Sequence, residues 1–189
     1  MEVSEIFSKI ANRMIQGLMF HEQMSNYYDF LGMKGYKRCH EYHYLEETCK
    51  YRQLCRYYIN HYSKLIPYSE VEDPDAIPES WYRYTRQDVD VSTKKNAVRN
   101  GLEKWVEWET GTKDLYEKMY KELMDAGEVA SALYLSEFIR GVDCELKKVQ
   151  RYHISKLATG YDLIDIMQEQ IRKHDKYKEK TEEVGKLLC

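Results

Sequence analysis

Apolar side chains return every three or four residues from the start of the chain. Val3, Phe7, Ile10, Met14, Leu18 and Tyr28, with His21 among them, share one helical face and predict a helix from about residue 3 to 31. Gly32-Met33-Lys34-Gly35 is a short two-glycine turn, after which a second helix is expected over 36–65. Ser92 or Thr93 can cap a third over 93–124, with Val98, Leu102, Trp105, Glu109, Thr112, Tyr116, Met119 and Leu123 as its stripe. Asp125-Ala126-Gly127 turns the chain into a fourth over 128–159, with Ala132, Leu135, Ile139, Val142, Leu146, Val149, His153 and Leu157 inward. Gly160 suits the stop of that helix. A fifth follows over 161–178, its apolar side made of Leu163, Ile164, Met167 and Ile171, and the mixed-charge stretch 173–183 reads as a solvated tail.

The three prolines, Pro67, Pro74 and Pro78, fall together and mark 66–92 as the one long connection. Within it Trp81, Tyr82 and Tyr84 are too aromatic to hang in solvent, so the connection should pack back on the body. The four main helices have about 30 residues each, or about 45 Å of length. Short turns make the first two, and the second two, antiparallel neighbours. The pattern predicts an all-α four-helix bundle with one long crossover and an additional C-terminal helix, a single domain over residues 1–189.

Charge narrows the function classes. With 32 acidic against 29 basic residues the net charge is -3, which argues against direct nucleic-acid binding, because phosphates require a basic surface. The 18 tyrosines supply most of the aromatic content, and a ring with a wet hydroxyl suits helix borders and protein interfaces. Five cysteines, Cys39, Cys49, Cys55, Cys144 and Cys189, are an odd number without CxxC spacing, so neither a zinc knuckle nor a disulfide framework follows. The opening Met1-Glu2-Val3-Ser4-Glu5 lacks the basic-then-apolar order of a signal peptide. No run approaches the ~18 apolar residues of a membrane span. A soluble protein of a reducing cytoplasm is expected.

Polar chemistry concentrates on the second helix. His40, His43 and Glu47 lie at i, i+3 and i+7 on one stripe, with Glu46 beside them. No glycine-rich phosphate loop, Ser-His-Asp set or nucleotide fingerprint accompanies them.

The layout resembles the ferritin-like superfamily. Residues 27–67 resemble the first hairpin of Dps-type mini-ferritins: Tyr27-Tyr28, the glycine turn, Tyr36, His40-Glu41 and Leu65-Ile66-Pro67. That resemblance implies an iron-oxidising centre, and the chain departs from it at the ligands. Tyr28 stands where the mini-ferritins' earlier histidine is expected, and their acidic positions fall near Cys55 and Ile59, which are not hard oxygen ligands. Larger ferritins use Glu-x-x-His, whereas this chain has Glu47-x-x-Lys50 and Glu145-x-x-Lys148. A protonated lysine cannot ligate and repels a cation, so an intact di-iron centre is not expected.

Antiparallel pairing about residues 33–34 puts His21 and Glu22 level with Glu46 and Glu47, and pairing about 126–127 puts Glu109 opposite Glu145, with Glu107 near. Glu22, His43, Glu47, Glu109 and Glu145 would then form a reordered carboxylate site for Fe or Mn. In the competing arrangement no cofactor is held, and Lys50 and Lys148 replace the metal by pairing with those carboxylates. Three functions fit. One is a metal-free bundle that binds a protein through its tyrosine-rich faces or the acidic connection, with Glu70, Glu72, Asp73, Asp75, Trp81 and Tyr82 as partner-binding residues. Charge alone suggests a basic nucleic-acid-binding partner and the role of a stoichiometric inhibitor, as proteins of mobile elements often have. The others are an iron-binding mini-ferritin or carboxylate-metal oxidase, and a structural homo-oligomer.

Overall fold

A computed structural model describes residues 1–188, with side chains up to Val184; Cys189 lies outside the described residues. Five long helices make up most of the chain: α1 (Val3–Phe30), α2 (Lys34–Tyr62), α3 (Val91–Asp125), α4 (Val129–Ala158) and α5 (Leu163–Leu188). No strand occurs among the described residues, and none of their helices is long and apolar enough to cross a membrane. The turns use glycine where the backbone enters the left-handed region, at Gly32 (φ 71) between α1 and α2 and at Gly127 (φ 78) between α3 and α4. The cap of α3 is Asp90, whose carboxylate accepts the Thr93 amide at 2.7 Å, rather than Ser92 or Thr93.

α1/α2 and α3/α4 are antiparallel hairpins set against each other. Across the α2/α4 seam Tyr62 meets Glu128 at 2.8 Å, the Tyr57 and Tyr134 rings stack at 3.9 Å, and the Tyr36 and Tyr152 hydroxyls meet at 2.6 Å. Across the α1/α3 seam Phe20 stacks on Trp108 at 4.9 Å. The predicted α3 stripe is buried at all eight positions. Two apolar clusters fill the interior. One gathers around Ile6, Phe7, Ile10, Met14, Leu54, Met119 and Leu123, the other around Phe20, Met24, Tyr28, Tyr36, Leu102 and Ile166. Each fully buried large side chain contributes roughly 1.5–3 kcal/mol by leaving water. A polar layer lies between the clusters.

The connection leaves α2 after Tyr62, where Ser63 takes a left-handed conformation (φ 53), and runs the length of α1 to Asp90. It packs back as its aromatic content predicts. Asn12 bonds Ser69, Gln16 bonds the Glu72 carbonyl, Gln23 donates to both oxygens of Asp73, and Trp81 stands edge-on to Tyr27 at 5.0 Å.

α5 differs most from expectation. It continues as helix through the stretch read as a solvated tail and lies along α2, parallel to it. Its inward residues are Ile166, Lys173 and Tyr177, while of the expected apolar side Leu163 is half-buried and Ile164, Met167 and Ile171 are 69%, 42% and 62% exposed. The surface of α2 decides this orientation: it offers tyrosines and a thiol, on which Lys173 and Tyr177 settle. Close approach is allowed by Gly35, where a Cβ would overlap the Gln170 carbonyl. On α4, Leu157 is likewise exposed, and Lys156 is buried in its place against Asp165 at 2.7 Å.

Candidate functional site at the bundle centre

The polar layer is built from all four bundle helices. α2 supplies Glu47 and Lys50, one turn apart on its inner face, with the ammonium 2.6 Å from Glu47 Oε1. Burial alone would lower the Lys50 pKa, but Glu47, Glu109 and Glu46 overcome that and raise it, so the lysine is charged. α3 supplies Glu109, 7% exposed, whose carboxylate accepts the Trp105 indole N–H at 3.0 Å. Burial first, and then repulsion from Glu47, push Glu109 up to about 7.

α1 supplies Arg13 and Gly17. The Arg13 guanidinium lies 3.4 Å above the Trp108 ring and donates to Thr112 Oγ1 at 2.8 Å and to the Trp108 carbonyl at 2.9 Å. Burial lowers its pKa, with Tyr116, Glu109 and Glu47 opposing; a guanidinium remains charged at neutral pH regardless. Gly17 leaves room for Glu47, since a Cβ there would stand 3.3 Å from Glu47 Oε2. α4 closes the layer with Phe138 and Val142. The space left is about 10 Å³, enough for roughly one water.

One turn above, His43 is held between carboxylates, Nδ1 at 3.0 Å from Glu46 and Nε2 at 3.4 Å from Glu145. The second contact is an ion-pair distance without hydrogen-bond alignment. Burial opposes charge on His43, but Cys39, Glu46 and Glu145 raise it to about 10; Glu46, despite burial, falls to about 2 against the imidazolium. His21 and His40 meet Nδ1 to Nδ1 at 3.0 Å, so one ring donates and the other accepts. Burial and the neighbouring cations lower both and keep them neutral.

The five residues expected to form a metal site are not brought together. Glu22 is exposed and accepts from Asn26 at 3.3 Å. Glu145 faces His43 and Lys148, the latter at 3.1 Å, rather than Glu109. Glu107 is on the surface with Lys104 at 3.1 Å. Only Glu47 and Glu109 share the central cavity. The register explains the difference. The turn is centred near Gly32, so Gly17, not Glu22, meets Glu47, and His21 meets His40 and His43.

A di-metal carboxylate site in a bundle draws a Glu from each of two helices and Glu-x-x-His from the other two. Here α1 offers glycine, α2 pairs its glutamate with lysine, and α4 offers phenylalanine and valine. The residues at this centre do not fit such a site. Among the described residues no three His, Cys, Asp or Glu side chains gather closely enough to hold a metal ion. Arg13 escaped the sequence reading because it sits beside the Met14 stripe. The series Ile6, Ile10, Arg13, Gly17, Phe20 and Met24 has helical spacing and would have placed it inward.

The partner-binding residues proposed from sequence divide into two groups. Asp73 and Trp81 hold the crossover down, by Gln23 at 3.0 Å and by Tyr27. Glu70, Glu72, Asp75 and Tyr82 are exposed. His61 is exposed against Tyr57, and His153 bonds the Tyr161 hydroxyl at 2.7 Å.

No protein-family model matches the sequence, and no curated protein matches it. Solved structures do match the fold. A humanized archaeal ferritin aligns over 91% of this chain and 94% of its own with TM-score 0.75 and 14% identity. An Archaeoglobus fulgidus ferritin engineered by site-directed mutagenesis toward a closed form aligns over the same shares with TM-score 0.74 and 14% identity. The chain has the ferritin-like fold.

Proposed function

We propose that this chain is a protein-binding bundle on the ferritin-like fold, its centre closed by ion pairs where a di-metal site would need ligands. One observation carries that reading: two cations, Arg13 and Lys50, stand among Glu47 and Glu109, the two carboxylates lining the central cavity. The layer is charge-compensated from within, and an added metal cation would meet fixed positive charge in a space that holds about one water.

Function then falls to the outer surface. The crossover exposes Tyr68, Tyr82 and Tyr84 beside Glu70, Glu72, Asp75 and Glu79. An open groove of about 270 Å³ lies between Tyr27, Phe30, Ile77, Trp81, Tyr82 and Tyr84. Aromatic side chains on a connection that also carries these carboxylates suit a basic protein partner. A nucleic-acid-binding protein masked on its phosphate-binding face would be inhibited stoichiometrically, a role common among proteins of mobile elements.

The test is calorimetric binding of basic nucleic-acid-binding domains to the wild type and to a Glu70/Glu72/Asp75/Glu79→Lys variant. Asp73 is left in place because it holds the crossover. Binding that competes with DNA and weakens on the order of tenfold or more in the variant supports the reading. Equal binding by both proteins removes this face from consideration. The runner-up, an iron-binding mini-ferritin or carboxylate oxidase with Fe or Mn, has one observation in its favour: Glu47 and Glu109 line the same cavity.

A further inference from the structure

α5 turns aliphatic side chains to solvent and sets a lysine against a cysteine of α2. The Lys173 ammonium lies 3.6 Å from Cys39 Sγ, between positions 134 residues apart in sequence. Rings from three helices surround it, Tyr152 at 4.6 Å, Tyr36 at 5.5 Å and Tyr177 at 5.8 Å. Among the described residues no carboxylate comes within ion-pair distance of Lys173, so the sulfur is its acceptor in the seam. Cys39 is 1% exposed, and burial alone would keep it a thiol. Lys173, and after it His43 and Tyr177, outweigh burial and lower its pKa below the ordinary 9.0, toward the thiolate.

We propose that Cys39 and Lys173 are a peroxide-sensitive cross-linking pair, which joins α5 to α2 through a sulfur–nitrogen bond. The oxidant is hydrogen peroxide. First the Cys39 sulfur attacks one peroxide oxygen and the O–O bond breaks. Sulfur gains an S–O bond and is oxidised by two electrons; the other oxygen leaves as hydroxide and takes a proton to become water. Then the Lys173 nitrogen, having given up a proton, attacks the sulfenic acid. The S–N bond forms, the S–O bond breaks, and hydroxide departs as water with a proton from the nitrogen. In sum a thiol, an amine and one peroxide give a sulfenamide and two waters.

The geometry suits both steps. Backbone nitrogen condenses with sulfenic acids, and a neutral amine is the better nucleophile. The lysine stem is flexible and only half-buried, so it can close on the sulfur. Its displacement also admits peroxide, which is little larger than water, without unfolding α5. A thiol reductant reverses the bond by exchange at sulfur. The redox state then decides whether α5 can leave α2, whatever the bundle itself binds.

Peptide mapping of the full chain, reduced and then treated with excess hydrogen peroxide, tests it. The wild type should yield a linked pair of peptides containing Cys39 and Lys173, about 2 Da lighter than their sum. Tryptic cleavage after Lys173 should be lost, and dithiothreitol should restore it. Lys173→Arg keeps a cation against the rings without a nucleophilic amine. It should give no linked pair, and dimedone should trap Cys39 as the sulfenic acid far more than in the wild type. If Lys173→Arg fails to fold, the wild-type map decides alone. A Cys39 that stays a free thiol, or reaches the sulfinic acid while Lys173 is unmodified, overturns the proposal. Equal dimedone labelling of Cys39 in the two proteins does so as well.

Discussion

Lys50 holds its ammonium 2.6 Å from the Glu47 carboxylate, and the pair sits where two apolar clusters of the bundle interior meet. With Arg13 and Glu109 it makes a four-charge layer, two of each sign when Glu109 is ionised. Paired charges in a protein interior are costly to separate and gain little over a well-packed apolar alternative.

Removing one partner should therefore hurt more than removing both. Lys50→Ala should cost about 1–3 kcal/mol, the lower end reflecting the water that reaches the pair. A Glu47→Leu/Lys50→Met double variant should fall within about 1 kcal/mol of the wild type or above it. Urea denaturation of the two variants checks the ordering, and a double variant less stable than Lys50→Ala would contradict it.

Glu109 gives the layer a pH signature. Its folded pKa, about 7, lies above the ordinary 4.5, so the folded state binds the proton more tightly and its contribution to stability falls as pH rises through that window. Glu109→Gln keeps an oxygen for the Trp105 N–H and removes the titration. The variant should match the wild type below pH 4.5 and exceed it above pH 7, by on the order of 1–3 kcal/mol. Thermal unfolding across that range reads the difference.

The His43–Glu46 pair contributes across a pH window bounded on both sides. His43 is raised from 6.5 to about 10, so its contribution is complete below 6.5 and is lost as pH rises through about 10. Glu46 is depressed from 4.5 to about 2, so its contribution holds above 4.5 and is lost as pH falls toward 2. His43→Gln should be most destabilised relative to the wild type between pH 4.5 and 6.5, by about 1–3 kcal/mol, with the deficit shrinking as pH approaches 10. A constant deficit across pH would show that the ring acts by packing alone.

Gly35 controls how α5 docks. A methyl group there meets the Gln170 backbone, which cannot move aside as a flexible side chain would. Gly35→Ala should cost about 1–3 kcal/mol by overpacking and expose residues 163–188 to protease before the rest of the chain. Hydrogen exchange along α5 and α2 locates the change.

Sequence periodicity made the helices legible because their partners are ordinary apolar faces. The α3 stripe from Val98 to Leu123 needs no tertiary knowledge to be recognised as buried. The Glu47–Lys50 contact is equally local, being set by one helical turn. Facts that depend on register were not legible. Centring the α1/α2 turn one to two residues late slides the contact across from Glu47 by two to four residues, about one turn, which brings His21 and its neighbour Glu22 toward the level of Glu47 in place of Gly17 and misplaces the proposed ligand set. α5 illustrates a second gap. Its apolar stripe predicts which face prefers to leave water, but α2 offers Tyr36, Cys39 and Tyr42, to which Lys173 and Tyr177 are better suited. In the crossover, composition identified the acidic and aromatic residues without distinguishing Asp73 and Trp81, which hold it, from Tyr82, which faces out.

Metal analysis tests the central claim most directly. The full chain, purified aerobically and then offered Fe(II) or Mn(II) in excess and desalted, is assayed for metal per chain. The ion-pair centre predicts only a small fraction of one ion per chain, unchanged in a Glu47→Ala/Glu109→Ala variant. One or more tightly held ions per chain, lost in that variant, would contradict it.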